Sequence, residues 1–302
     1  MCTESIVGYM SRPARSSARS PTWTVEQRYQ FIEFRLYWTG RLNRSDLMDA
    51  FGISKQQASI DLSNYIEGRK SNLVYDKKLR TYLRGKNFRP RFMVPDASEF
   101  LSQLQAVDLG LVREDRSWVA PVVSFCSPPT PARGVKPEIL RDVIAAIKDA
   151  QSIHVLYQSF SKPEPSLRWI EPHSLAFDGF RWHARAFCQN DAVFKDFLLS
   201  RILSVDDFNV SMRSVDDDAA WNSEVTLKIG PHPELSVSQK HVVGMDYGMD
   251  DGVVKIKVRE AMLFYALKRL GLDTDPNARK PQDQHIVLLN REEVLETRKV
   301  KS

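Results

Sequence analysis

Cysteine is scarce in this 302-residue chain: Cys2, Cys126 and Cys188 are the only three, far apart and odd in number. No CxxC pair occurs, which argues against a disulfide framework or a zinc ribbon and favours a reducing, cytoplasmic compartment. Long apolar runs are also missing. None approaches the roughly 20 residues a membrane helix needs, so no membrane partner is expected. The opening stretch MCTESIVGYMSRPARSSARSP lacks the apolar core of a secretory signal. Its arginine and serine bias is shared with organellar transit peptides; over residues 1–21 it reads as a disordered basic arm. Catalytic signatures are absent too. There is no Gly-rich phosphate loop or nucleophile motif, and the acids gather in linkers, as at Asp206, Asp207 and Asp216 to Asp218 before Trp221, rather than alternating with histidine at metal-ligand spacing. These absences point away from an enzyme such as a nuclease or phosphodiesterase, and no cofactor or metal is expected.

What is present suits a soluble globular protein, with 42% hydrophobic and 27% charged residues. The length allows two or three domains, each with its own core. The net charge of +5 conceals a division: residues 1–95 carry 17 Lys/Arg against 8 Asp/Glu, and the rest carry 26 against 30. Basic charge concentrated in the first third suggests that this part meets a polyanion.

That third has the pattern of a helix-turn-helix. Thr24 with Gln27 forms a capping box and opens a helix to about Thr39, with Val25, Tyr29, Ile32 and Leu36 as its buried stripe. Gly40 ends it, and Asn43 can cap a short second helix, RSDLMDAF, with Leu47, Ala50 and Phe51 inward. After a tight turn at Gly52, Ser54 and Gln57 make another capping box that opens a third helix to about Glu67. Such a helix can enter the major groove, presenting Ser54, Lys55, Gln56, Gln57 and Ser59 from its first turns, with Ile60 nearby. The run LVYDKKLRTYLRG reads as a β-hairpin, a wing whose tip carries Lys77, Lys78 and Arg80. Arg41, Asn43 and Arg44 are candidate phosphate contacts. Tri-helical cores also occur in proteins that bind no DNA, and Asp61 and Glu67 count against a uniformly basic face. The wing and the charge segregation favour DNA.

A helix over 95–112 and a short strand within WVAPVVSFC lead to a Pro-rich break at Pro128, Pro129 and Pro131. From Lys136 the spacing of Leu140, Val143, Ile144 and Ile147 predicts a second helix. Apolar alternation then predicts four strands, over 152–161, 167–179, 180–188 and 194–205, in a small, strongly bent sheet or barrel. In GFRWHARAF, parity puts Arg181, His183 and Arg185 on one face and Trp182 on the core side.

A helix, then IHVLYQSFS, RWIEPHSLAFDGFRWHARAF and FLLSRI, resembles the WYL domain over roughly residues 136–205. The Trp-Tyr-Leu of the family's name reads here as Trp182-His183-Ala184, a departure at two of three positions. With the winged helix before it and, from EVTLKIG to QHIVLLN after it, an α/β segment that reads strand, helix, strand, helix, strand, the chain resembles homodimeric WYL regulators that accompany phage-defence operons. The resemblance implies an α+β multidomain fold: a winged helix-turn-helix (22–95), a helical connector (96–135), an SH3- or Sm-like WYL barrel (136–210) and a C-terminal α/β dimerisation extension (222–302). It also implies that Tyr157, Ser159, His173, Arg185 and Arg201 converge on one pocket, beside which His183 stands. Arginine forks suit phosphate, and Tyr and His rings suit stacked bases, so a nucleotide or oligonucleotide effector is expected. The implied partner is duplex DNA with an inverted-repeat operator, bound by a homodimer. The alternatives are a nucleic-acid-processing enzyme and a non-regulatory nucleic-acid adaptor.

Overall fold

The computed structural model describes residues 24–119, 122–128 and 134–299. The basic arm expected over 1–21 lies outside them. The chain divides into two compact units that part between Thr130 and Pro131.

In the first unit, α1 (Val25–Thr39) opens on the Thr24–Gln27 capping box and stops where Gly40 takes a left-handed φ of 72°. Strand β1 (Arg41–Leu42), unforeseen in the sequence, precedes α2 (Arg44–Phe51) and α3 (Lys55–Gly68). Strands β2 (Leu73–Asp76) and β3 (Thr81–Arg84) form the hairpin, and β1 joins its far side to give an antiparallel sheet in the order β1-β3-β2. Asp76 shapes the turn by accepting the Lys78 and Leu79 amides through Oδ1. Helix α4 (Ala97–Asp108) is capped by Asp96, which accepts the Ser98 and Glu99 amides. No strand forms at Trp118, Val119 or 122–126. Trp118 instead packs edge-on to Phe31 and Phe51, so its apolar neighbourhood serves the core.

Two polar networks hold this unit from within. Arg28 grips Asp61 through Nε and Nη2 at 2.7 and 3.1 Å, joining α1 to α3. The Glu33 carboxylate, fully buried, accepts the amides of Arg91, Phe92 and Met93 and the Tyr65 hydroxyl. Polar groups so buried must be satisfied, and here they pin the chain that leaves the wing. Asp61 is therefore a structural partner rather than an acid on the exposed face. The stripe expected on α1 shifts as well: Val25 is exposed, while Phe31, Ile32, Phe34 and Leu36 are buried.

The second unit begins with α5 (Pro137–Lys148), whose Ile139, Val143 and Ala146 are buried. The helix lies on a five-stranded antiparallel sheet of β4 (Gln151–Tyr157), β5 (Ser166–Phe177), β6 (Trp182–Cys188), β7 (Val193–Leu198) and β8 (Ile202–Val210), in the order β7-β6-β5-β4-β8. The sheet is open where a closed barrel was expected. Its edge strands β7 and β8 follow one another through the 3-10 turn Leu199–Arg201 but do not pair. That turn splits the single strand expected over 194–205. Asp206 and Asp207, read as linker, belong to β8. Register shifts in β4–β8 and at His173 in β5 bend the sheet.

Strand β6 corrects the reading of its faces. Ala184, Ala186 and Cys188 enter the core beneath α5, but Trp182 is half exposed at the strand's start and rests on Phe177 at 4.8 Å. Trp182 shares the core parity yet lies beyond the end of the core. His183 and Arg185 are buried on the opposite face.

The chain then passes through the short α6 (Ala219–Asn222) to β9 (Glu224–Pro231), α7 (Val237–Asp246), β10 (Val254–Arg259), α8 (Leu263–Arg269), β11 (Ile286–Leu288) and α9 (Arg291–Lys299). The strands pair antiparallel as β10-β9-β11, around a core that includes Leu227, Ile229, Leu263 and Leu267. This matches the strand-helix-strand-helix-strand order read from the sequence.

Removing Arg28 leaves Asp61 buried without its partner, so Arg28→Ala should destabilise the N-terminal unit by about 3–5 kcal/mol. Replacing the pair with apolar residues, Arg28→Met with Asp61→Leu, should recover much of that loss. Urea denaturation followed by tryptophan fluorescence compares the two.

Candidate nucleic-acid interface and the buried ionic seam

The first turns of α3 are held from two sides. Ser54 caps the helix by accepting the Gln57 amide, but the reciprocal arm of a capping box is missing because the Gln57 side chain donates to Asp61 at 3.0 Å. The Arg44 guanidinium donates to Ser59 Oγ at 3.1 Å, which itself donates to the Lys55 carbonyl. Of the residues expected to read bases, Lys55 and Gln56 are exposed and their side chains bond to no described residue, whereas Gln57 and Ser59 are engaged within the protein. Ile60, Ser63 and Asn64 are exposed further along the helix, and the last two were not singled out in the sequence. Arg41 and Asn43 are exposed before α2, and Lys77, Lys78 and Arg80 are exposed at the hairpin tip. Arg80 takes a φ of 52°, which turns the chain back into β3.

The residues expected to share one pocket divide into two groups. Tyr157, Ser159 and Arg201 gather where β4 ends. The Tyr157 hydroxyl accepts the Leu198 amide, and the Arg168 guanidinium lies 5.5 Å over the Tyr157 ring. Arg201 lies 5.7 Å over Phe160, which is 90% exposed, and its carbonyl accepts the Gln158 amide. Ser159 exchanges a hydrogen bond with Ser161. Arg168 and Phe160 complete this face and were not foreseen.

His173, His183 and Arg185 lie elsewhere, on a seam between the sheet and the C-terminal part. Arg185 is buried and donates to Asp218 through Nε at 2.7 Å and Nη2 at 3.1 Å, and to Asp196 through Nη1 at 3.1 Å. Tyr265 on α8 donates to the other Asp196 oxygen at 3.0 Å. His173 is the extra residue of the β5 bulge, which aims its ring at Asp218, 3.1 Å from Nε2. Trp221 and Phe194 flank that ring edge-on. Asp218 also accepts the Trp221 amide and so caps α6. Nearby, Asp178 accepts from Arg181 Nε at 2.7 Å and faces His183 Nε2 at 3.1 Å, while His183 packs on Tyr265.

The electrostatics follow from these contacts. Burial pushes the Asp218 carboxyl up, but the Arg185 fork, its charge and the His173 and Trp221 donors outweigh it and hold Asp218 below its ordinary value. Burial likewise pushes the Asp178 carboxyl up, but donors from His183, Arg181 and the Phe180 and Arg181 amides overcome it and hold Asp178 well below its ordinary value. Burial holds the His173 ring below its ordinary value despite Asp218, so it is neutral at pH 7. An ionised Asp218 can only accept, which places the proton on Nε2 and leaves Nδ1 to accept from Ser174.

The sequence read residues 216–218 as an acidic linker, yet Asp218 is the most deeply tied acid of the seam. An acid immediately before AAWN is a legible N-cap signal, but its ion pair lies 33 residues away. No group of three or more His, Cys, Asp and Glu that could hold a metal occurs among the described residues, and no helix among them is long and apolar enough to cross a membrane.

Three family models match in order. Residues 24–106 match the BrxR transcriptional regulator winged helix-turn-helix domain, 138–207 the WYL domain, and 224–294 the BrxR transcriptional regulator C-terminal dimerization domain. Together with the fold, they define a transcription regulator of winged-helix, WYL and dimerization parts. Relatives described as DNA-binding transcriptional repressor CapW align along nearly the whole chain. That of Stenotrophomonas maltophilia is 41% identical over 92% of this chain and 94% of its own. That of Escherichia coli (strain KTE188) is 36% identical over 94% of each, and that of Pseudomonas aeruginosa 34% identical over 94% and 95%. The chain belongs to the CapW family of DNA-binding transcriptional repressors. Proteasome accessory factor B/C (PafBC) of Arthrobacter aurescens aligns over 98% of this chain and 51% of its own, at 16% identity and a TM-score of 0.24. This chain thus spans about half of that one.

Because Asp178 and Asp218 titrate below their unfolded values, the stability they contribute is fully present above the ordinary Asp value of about 3.9 and is lost as pH falls below it. The C-terminal unit should therefore lose thermal stability steeply between about pH 4 and pH 2. Calorimetry across that range checks it; a transition temperature unchanged down to pH 2.5 would contradict the linkage.

Proposed function

We propose that the chain represses transcription as a homodimer whose two winged helices take the two halves of an inverted-repeat operator, and that a nucleotide or oligonucleotide effector at the WYL sheet releases it. The regulated genes are those of a phage-defence operon, the setting of the regulators this chain resembles. The observation that carries the DNA half is the first turn of α3, where Lys55 and Gln56 are exposed while buried contacts fix the helix beneath them. Gln56 is free to bridge an adenine edge, and Lys55 to meet phosphate. The basic hairpin tip adds sequence-independent attraction. Gln57 and Ser59, engaged with Asp61 and Arg44, orient the helix rather than read bases.

The effector half is supported by the Arg201–Phe160 face, which joins a cation to an exposed ring in the manner of sites that stack a base and hold its phosphate. An effector can shift operator affinity only through a preference for one dimer geometry over another. Arg185 and His173 provide a connection for that preference, since they tie the same sheet to α6 and, through Asp196 and Tyr265, to the dimerization part.

Gel shifts on the promoter upstream of the gene test both halves. Gln56→Ala should weaken operator binding by about 1–3 kcal/mol and relax one base position, while Lys55→Ala should weaken all sequences alike and lower the salt slope by about 1. Arg201→Ala should keep operator binding and lose release by the oligonucleotide. If Arg201→Ala loses operator binding while still folded, this face is not a separate sensor.

A further inference from the structure

A cleft opens where the β5–β6 turn, residues 177–181, meets α8. It has two lobes that share Asp178, Tyr265 and Arg269. One, of about 490 Å3, is walled by apolar groups that include Phe177, Met262 and Leu270. The other, of about 340 Å3, is bounded by Phe180, Arg181, Lys268 and Arg269. Among the described residues, Asp178 of the same turn pairs with Arg181, and no carboxylate pairs with Lys268 or Arg269. The Lys268 and Arg269 side chains are exposed and form no ion pair or hydrogen bond with a described residue, and Lys268 Nζ lies 5.7 Å over the Phe264 ring. Arg181 is held by Asp178 through Nε alone, which aims its fork and leaves its terminal nitrogens without a described hydrogen-bond partner.

Lys268 and Arg269 stand in the last turn of α8, where cations complement the helix dipole. That explains their sign but not Arg181 on the opposite wall, nor the exposure of Phe180 at 64% and Phe177 at 46%. The turn is also shaped to admit Arg269. Gly179 has a φ of 99°, which favours glycine, and the Arg269 side chain lies against its backbone, where a Cβ would stand 2.9 Å from Arg269 Cδ. The floor is rigid, since Asp178 is held by the Phe180 and Arg181 amides and Tyr265 by Asp196.

We propose that this cleft is a second ligand site, one that takes a phosphate monoester carrying a flat ring, the chemistry shared by a free nucleotide and by the end of a nucleic-acid strand. Arg181, Lys268 and Arg269 hold the phosphate, and the phenylalanine walls take the ring. The site stands apart from the Arg201 face and does not depend on an effector binding there. It touches both the WYL turn and a helix of the dimerization part, so its ligand would brace one against the other.

Calorimetric titration of the full chain with adenosine 5′-monophosphate tests the site, with inorganic phosphate, adenosine and a short single-stranded oligonucleotide in parallel. Losing a charge-assisted contact weakens binding about tenfold, so the Lys268→Ala/Arg269→Ala double variant should raise the Kd for the monophosphate by about tenfold or more. Both residues are exposed, and circular dichroism of the variant confirms its fold; Lys268→Arg should retain binding. Arg201→Ala should leave the affinity unchanged. Tighter binding of the oligonucleotide, lost in the same double variant, would assign the site to a strand end; weaker binding would assign it to the free nucleotide, and the site stands in either case. No binding of the monophosphate, equal binding of inorganic phosphate or adenosine, an unaltered Kd in the double variant, or loss of binding in Arg201→Ala would each overturn the proposal.

Discussion

The second half of the molecule depends on one buried arginine. Arg185 sits on a strand whose other face is wholly apolar, and its guanidinium meets two carboxylates, Asp196 from the neighbouring strand and Asp218 from the segment that leaves the sheet. Three charges removed from water are tolerable only because each is hydrogen-bonded by several donors or acceptors. Asp218 serves Arg185, His173 and the first turn of α6 together, and Asp196 serves Arg185 and Tyr265. The path from the WYL sheet to the dimerization domain therefore passes through groups that cannot move singly without leaving a charge unpaired.

The same device recurs at other points where the chain leaves an element. Glu33 holds the three amides of residues 91–93 as the chain departs from the wing. Glu171 accepts the Met212 and Arg213 amides and the Ser211 hydroxyl just after β8, and against the cost of burial those donors hold its carboxyl below the ordinary range. Asp61 anchors α3 through Arg28 while fixing the Gln57 side-chain amide. Hydrophobic clusters build each domain, and buried carboxylates set how its connecting segments run. This division of labour suits a regulator, because hydrogen-bond and salt-bridge networks, like packed side chains, can hold discrete arrangements.

Local signals made much of this legible in advance. Capping residues at Thr24, Asn43 and Ser54 and the glycines at 40 and 52 placed three helices almost to the residue, since these effects act within one turn. Period-2 alternation found the strands, but not the break at Leu199–Arg201, where an apolar run continues through a turn. Parity correctly grouped His183 with Arg185, and could not say whether their face meets water or protein; the C-terminal part covers it. Asp218 and Asp61 were misjudged for a related reason, because an acid reads as solvated until its distant cation is known. The closure of a barrel is also a long-range property, and two edge strands that follow each other need not pair.

A double-mutant cycle on Arg185 and Asp218, read by amide hydrogen exchange in α6 and α8, tests the seam most directly. Arg185→Met should lower the protection of both helices by about 3–5 kcal/mol, because it strands two buried carboxylates, and Asp218→Leu by less, because Asp196 still pairs with Arg185. The double variant should lose less than the sum, with a coupling above about 1 kcal/mol. Strictly additive losses, or protection in α8 indifferent to Arg185, would contradict a single ionic seam joining the sheet to the C-terminal domain.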